Sequence, residues 1–211
     1  MRKRREIINS RKLLPTLHVF SEGKESEKNY IELFVEKFCN SSKRIKIEKR
    51  SHTDPKGLVG EAINMRKTYG VSFPNDEYWA VYDRESPTKH SDKTHEQALR
   101  MAAEGGVNVA LSNVCFEVWL LLHKADHDLK CNTCDELRKK PLFRRYFKDY
   151  NKGAKQDISK KEIIEARKRA LAMNRRTLSG ANREITENMP HKLNPYTMFP
   201  KLLDAIERFV L

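Results

Sequence analysis

The sequence predicts an α/β protein, with a parallel, Rossmann-like sheet as its core and a basic α-helical extension at its C-terminal end. Three observations predict it. Short apolar runs rich in β-formers alternate with segments of helical period as far as Leu111. Strands that alternate with helices form parallel sheets, because each parallel pairing needs a crossover. From Cys115 onward the alternation stops, and the chain reads as helices rich in Lys and Arg.

Taken in order, Thr16–Phe20 (TLHVF) is the first strand, ended by Ser21-Glu22-Gly23. Glu25 to Cys39 sets Tyr30, Leu33, Phe34 and Phe38 at helical spacing. Arg44–Lys49 alternates Ile45 and Ile47 with charges, as a half-exposed strand does. Gly57–Tyr69 returns to helical period through Leu58, Ala62 and Met65. Glu77–Tyr82 (EYWAVY) is the next strand and stops at Asp83. Lys93–Glu104 is a helix closed by Gly105-Gly106, followed by a strand over Val107–Leu111. Cys115–His123 (CFEVWLLLH) is apolar enough for a buried helix. Asp135–Tyr150, Ser159–Ala172 and Thr197–Leu211 are helical, the last with an apolar stripe of Met198, Leu202, Leu203, Ile206 and Val210. The organisation predicted is a basic arm over residues 1–15, an α/β core over 16–123 and a helical extension over 124–211 packed on that core.

Composition narrows the function. Of 211 residues 38% are hydrophobic and 34% charged, so a core forms under a heavily charged surface. No run approaches the ~20 apolar residues of a spanning helix, which argues against a membrane protein. The opening MRKRREIINSRK lacks the apolar stretch of an export signal, so the expected compartment is the cytoplasm. Cys39, Cys115, Cys131 and Cys134 then read as reduced thiols. The 42 Lys and Arg exceed the 29 Asp and Glu by thirteen, a surplus that attracts phosphates and favours nucleic acid as partner.

Ligands of open parallel sheets bind at the carboxyl ends of strands, and two of these ends are acidic. Glu22 follows the first strand, with Gly23 allowing a tight turn. Asp83 and Glu85 follow the third, two residues apart and hence on one side of an extended chain. If the two strands are neighbours, three carboxylates converge. Like charges brought together repel without a cation, and hard oxygen donors suit Mg²⁺ or Mn²⁺. Taken singly, each acid is more readily a turn residue or a helix cap than a ligand.

The run Phe20-Ser21-Glu22-Gly23, with Glu27, Tyr30 and Asp83-x-Glu85, resembles the TOPRIM fold of topoisomerases, primases and OLD-type nucleases. More narrowly, EGKESEKNY (22–30), SNVCFEVWLLLH (112–123) and Asn194-Pro195 resemble the RloB family of bacterial defence proteins, over nearly the whole chain from Leu17. The resemblance implies a TOPRIM-like core in which Glu22, Asp83 and Glu85 bind Mg²⁺ or Mn²⁺. It also implies an RloA-type ATPase partner and an abortive-infection or restriction-linked setting. Related TOPRIM effectors are nucleases, some acting on tRNA. The chain departs from the usual D-x-D by carrying Asp83-Arg84-Glu85, whose longer final arm shifts the geometry.

Glu117 is an acid inside an apolar run, so it either lines the acidic site or pairs with a nearby base. His123 is a candidate catalytic residue or a partner of its helix's C-terminal dipole. Lys24, Arg84 and Lys152 are the candidate substrate-binding cations. His123-x₃-His127-x₃-Cys131-x₂-Cys134 has spacing open to a structural zinc, the alternative being a loop with two thiols. Basic residues from Lys139 to Arg176 interleave with Phe143, Tyr146, Phe147 and Tyr150, a surface for a phosphate backbone or the solvated side of buried helices. Two functions follow. One is a divalent-metal-dependent nuclease hydrolysing RNA (tRNA included) or DNA with the ATPase partner; the other is a non-catalytic nucleic-acid- or nucleotide-binding subunit of that ATPase.

Overall fold

The computed structural model describes residues 14–39 and 43–210, so most of the predicted basic arm (1–15) lies outside the described residues. Its centre is a five-stranded sheet in the order β2-β1-β3-β4-β5. β1 (Leu17–Ser21), β2 (Ile45–Ile47), β3 (Glu77–Asp83) and β4 (Asn108–Asn113) are parallel, and β5 (Tyr196–Thr197) runs antiparallel to β4. This is the Rossmann-like α/β core that the alternating pattern predicts. β5 is an addition. It is two residues long, shorter than any alternation a sequence can display, and it draws the C-terminal third into the sheet.

Side-chain alternation along β3 builds both faces. Trp79 and Val81 join Leu17 and Val19 under α1 (Ser26–Phe38), α4 (Glu117–Leu122), α7 (Lys160–Ser179) and α8 (Phe199–Val210). Tyr78, Ala80 and Tyr82 point the other way, onto α2 (Pro55–Tyr69) and α3 (Asp92–Gly105). The helices start where their caps stand. Asp54 accepts from Gly57 N–H at 3.0 Å, with Pro55 in the first turn. Ser91 caps α3, and Gly106 closes it at φ +65°, the left-handed region that glycine enters freely. Ser159 and Glu162 form a reciprocal capping box on α7.

The predicted helix over Asp135–Tyr150 is two helices, α5 (Cys134–Lys139) and α6 (Pro141–Tyr146). Pro141 forces Lys140 into the extended region and begins a new helix. The buried run from Cys115 supplies only six helical residues, α4, whose side chains are all buried. Trp119 stands at its centre among Tyr30, His123 and Phe199, with ring centroids 4.8–5.9 Å apart. Among the described residues, no helix is long and apolar enough to cross a membrane.

Two stability measurements check this packing. Trp119→Ala removes the largest fully buried side chain, and urea unfolding should show a loss of about 3–5 kcal/mol. Ser159→Ala removes the α7 cap and should lose about 1 kcal/mol.

Candidate active site

The chain leaves β1, forms β2 on one side of it, then crosses to β3 on the other. The carboxyl ends of β1 and β3 therefore flank the switch point at which such sheets open a crevice. Their pairing in register, Ser21 beside Val81, sets Glu22, one residue on, and Asp83, two residues on, at the same edge. Glu22 N–H donates to Val81 O at 2.8 Å, and Asp83 N–H donates to Glu22 Oε2 at 3.0 Å. Glu85 turns at φ +59°, a conformation uncommon outside glycine. Its carboxylate meets Lys89 Nζ at 2.7 Å, and the same ammonium lies 3.3 Å from Glu22 Oε1. The three predicted carboxylates thus line one cleft, although among the described residues no three carboxylate oxygens from different acids there lie within 4.8 Å of one another.

A fourth, Glu27, joins them from the first turn of α1. Its Oε1 accepts from Gly23 N–H at 3.2 Å, while its buried Oε2 has no hydrogen-bond partner. A methyl group at Gly23 would stand 1.7 Å from that oxygen, so the close approach of turn and carboxyl requires glycine there. Burial, followed by the negative charge of Glu22, pushes the Glu27 carboxyl up to about 7. Burial, then the charges of Glu27, Glu22, Glu117 and Glu85, pushes Asp83 well above the usual carboxylate range.

These acids line a cleft of about 380 Å³ whose other walls carry Lys24, Arg50, Lys89 and Lys152. Arg50 donates to the backbone carbonyl of Glu22. Lys152 arrives from the C-terminal third. The neighbouring Gly153, at φ +91°, donates through N–H to Ser26 Oγ at 3.1 Å, and its carbonyl accepts from Asn29 Nδ2 at 2.6 Å. Anionic floor and cationic rim together suit a divalent cation bound beside phosphate.

Other predicted residues are placed elsewhere. Arg84 is buried beside the cleft with its donors committed: Nε to His191 O at 3.1 Å, Nη1 to His90 O at 2.9 Å and Nη2 to Asp92 at 2.6 Å. It fastens loops and is not among the residues that line the acidic cleft. His123 is also outside the cleft. Its Nε2 pairs with Tyr30 Oη at 2.8 Å and its Nδ1 faces Trp119 O at 3.0 Å, while burial lowers its pKa to about 4. Glu117 lies behind the cleft, its charge felt by Asp83 and Glu27, while its carboxylate faces Cys134 and Arg138.

The histidine–cysteine quartet is not assembled. His123 is held by Tyr30, and His127 by Val118 O at 3.4 Å. Cys134 pairs with Cys115 in a disulfide, which corrects the expectation of four reduced thiols; Cys39 and Cys131 are free. Among the described residues, the one group of His, Cys, Asp or Glu with three ligand atoms within 4.8 Å of one another is Cys115, Glu117 and Cys134. The basic extension is partly used internally as well. Arg167 pairs with Asp204 and Glu207, Arg176 with Asp126 and Asp128, and Arg169 bonds the carbonyls that end α4.

Sequence reasoning missed Glu27, Arg50 and Lys89 as site residues. Glu27 sits on the helix face that also buries Tyr30 and Ile31, an acid at an apolar position, and that was a legible signal. Arg50 and Lys89 lie on loops, where nothing in the pattern marks them.

Two outcomes follow. In the unfolded chain Glu27 ionises near 4.5, in the fold near 7, so between those values the folded state holds more protons. Folding is therefore penalised increasingly as pH rises from 4.5 to 7, and constantly above. Thermal melts should show Glu27→Gln gaining on the parent across that window, and Mn²⁺ should raise the parent's Tm more at pH 8 than at pH 5. Gly23→Ala should displace Glu27 and weaken Mn²⁺ binding, read by calorimetry, by about 10-fold or more.

No curated protein and no solved structure matches the chain. The model of one family, described as RloB-like protein, matches residues 17–206. That span holds all five strands and every residue of the acidic cleft, and the chain belongs to the RloB-like family.

Proposed function

We propose that the chain is a divalent-metal-dependent nuclease of the TOPRIM type that hydrolyses phosphodiester bonds in RNA, tRNA included, or in DNA. One observation carries the reading: Glu22, Glu27, Asp83 and Glu85 crowd the β1/β3 switch point inside a ring of Lys24, Arg50, Lys89 and Lys152. The donor set of Glu22, Asp83 and Glu85 fits Mg²⁺ or Mn²⁺, being all hard oxygens, and Glu27 beside it keeps one buried carboxylate oxygen unpartnered. Glu22, Asp83 and Glu85 would hold the ion. A bound ion of this kind polarises the phosphodiester and lowers the pKa of water.

The chain's own groups do the rest. Lys24 and Lys152 bind the phosphate oxygens and fix the strand's register over the carboxylates. Glu27, titrating near neutrality, takes a proton from the attacking water at Oε2. Asn29 and Ser26 anchor the loop that carries Lys152, so binding and chemistry are tied through one helix N-terminus. The +13 charge brings the polyanion in. Action beside an RloA-type ATPase in defence against phage belongs to the same proposal, supported by family membership.

One observation favours a second reading, a non-catalytic binding subunit of that ATPase. Lys89 Nζ bridges Glu22 and Glu85, giving two of the acids an internal counter-charge.

Cleavage of a labelled panel separates the two. It should contain tRNA, single-stranded RNA and both forms of DNA, with Mg²⁺, Mn²⁺ or EDTA. A nuclease cuts only with metal and loses about 100-fold or more in Glu22→Ala and Asp83→Ala while keeping nucleic-acid affinity. A panel uncut by the parent protein, alone and with the ATPase, would establish the binding subunit.

A further inference from the structure

Behind the acidic cleft, Cys115, Glu117 and Cys134 bring two sulfurs and a carboxylate oxygen within 4.8 Å of one another, all three residues buried. They come from separate parts of the fold. Cys115 lies in the loop after β4, Glu117 opens α4, and Cys134 opens α5 after the ten residues that follow His123. The backbones are close, Cys115 Cα lying 5.7 Å from Cys134 Cα. In the disulfide, Cys134 carries no hydrogen, yet its Sγ lies 3.0 Å from Glu117 Oε2. Arg138 reaches only the other oxygen, Oε1, at 3.3 Å. The contact is one that a shared cation satisfies.

We propose that, once Cys115 and Cys134 are reduced, their thiolates and Glu117 hold one zinc ion. Two sulfurs and a carboxylate oxygen are donors that zinc accepts, and thiolates select it over Mg²⁺. Reduction by a phosphine converts the disulfide and one water into two thiols and a phosphine oxide. Zinc then displaces the two thiol protons and forms two Zn–S bonds and one Zn–O bond, leaving a fourth position for water. Two thiolates and a carboxylate leave one negative charge on the complex, which Arg138 neutralises from alongside. The ion would join β4, α4 and α5 through one centre and fix Glu117, whose charge acts on Asp83 and Glu27. The inference is independent of the nuclease reading, since it uses no residue of the cleft.

The test uses the full chain, reduced with a phosphine, freed of reductant and dialysed against Zn²⁺ and then against metal-free buffer. Elemental analysis should give one zinc per chain. Thiol titration under denaturing conditions with a chelator should give four thiols. Co²⁺ in place of Zn²⁺ should show thiolate-to-metal charge-transfer absorption. Cys115→Ser and Cys134→Ser should each abolish that absorption, and Glu117→Gln should weaken zinc binding about 10-fold or more. Asp83→Ala, Cys39→Ser and His127→Ala should retain the ion. Zinc absent from the reduced parent protein would overturn the proposal without reference to any variant. So would zinc lost with His127→Ala or Asp83→Ala but kept in Cys115→Ser, which would move the ion to another set of donors.

Discussion

Parallel pairing of β1 with β3 is the interaction on which the rest depends. It sets Glu22 and Asp83 at one edge and lets the Asp83 amide donate to the Glu22 carboxylate. It also opens the crevice between two strands whose connections leave in opposite directions. Burying acids this way is unfavourable, and the fold offsets it with local means. Gly23 N–H serves Glu27, Asp83 N–H serves Glu22, and Lys89 serves Glu22 and Glu85 together. Even so, Glu27 and Asp83 remain harder to ionise than exposed acids, because burial and then the neighbouring carboxylates disfavour their charged forms.

The C-terminal third completes the site. β5 extends the sheet beside β4, α8 covers the face that α1 also covers, and the loop after Tyr150 carries Lys152 to the cleft. Several of its cations are used inside the fold: Arg169 attaches it to the end of α4, while Arg167 pairs with α8 and Arg176 with Asp126 and Asp128 within the third itself. Charge that composition assigns wholesale to a polyanion is thus divided between structure and surface. The aromatics divide the same way, since Phe143 and Phe147 are buried while Tyr146 is exposed.

His123 illustrates why residue type and spacing are poor guides to chemistry in a buried run. A histidine six residues from an acid invites a catalytic pairing, yet the Cβ vectors of α4 carry them apart. Glu117 goes toward Cys134 and Arg138, His123 into the aromatic cluster around Trp119 and Tyr30. The neutral imidazole there serves as donor and acceptor between a phenol and a carbonyl.

The sequence by itself determined the alternating α/β order, the four parallel strands and the acids at the ends of two of them. These are local properties: the apolar period of each run and the glycine stop at Gly105-Gly106. Only the tertiary structure decided what lies beside what. Strand order, the arrival of Lys152 on a loop whose Gly153 meets Asn29 across 124 residues, the inward commitment of Arg84 and the meeting of Cys115 with Cys134 all depend on contacts between separate segments. A one-dimensional pattern records which residues are apolar or charged, whereas a site is set by which crossover brings them together, and that is fixed by packing of the whole chain.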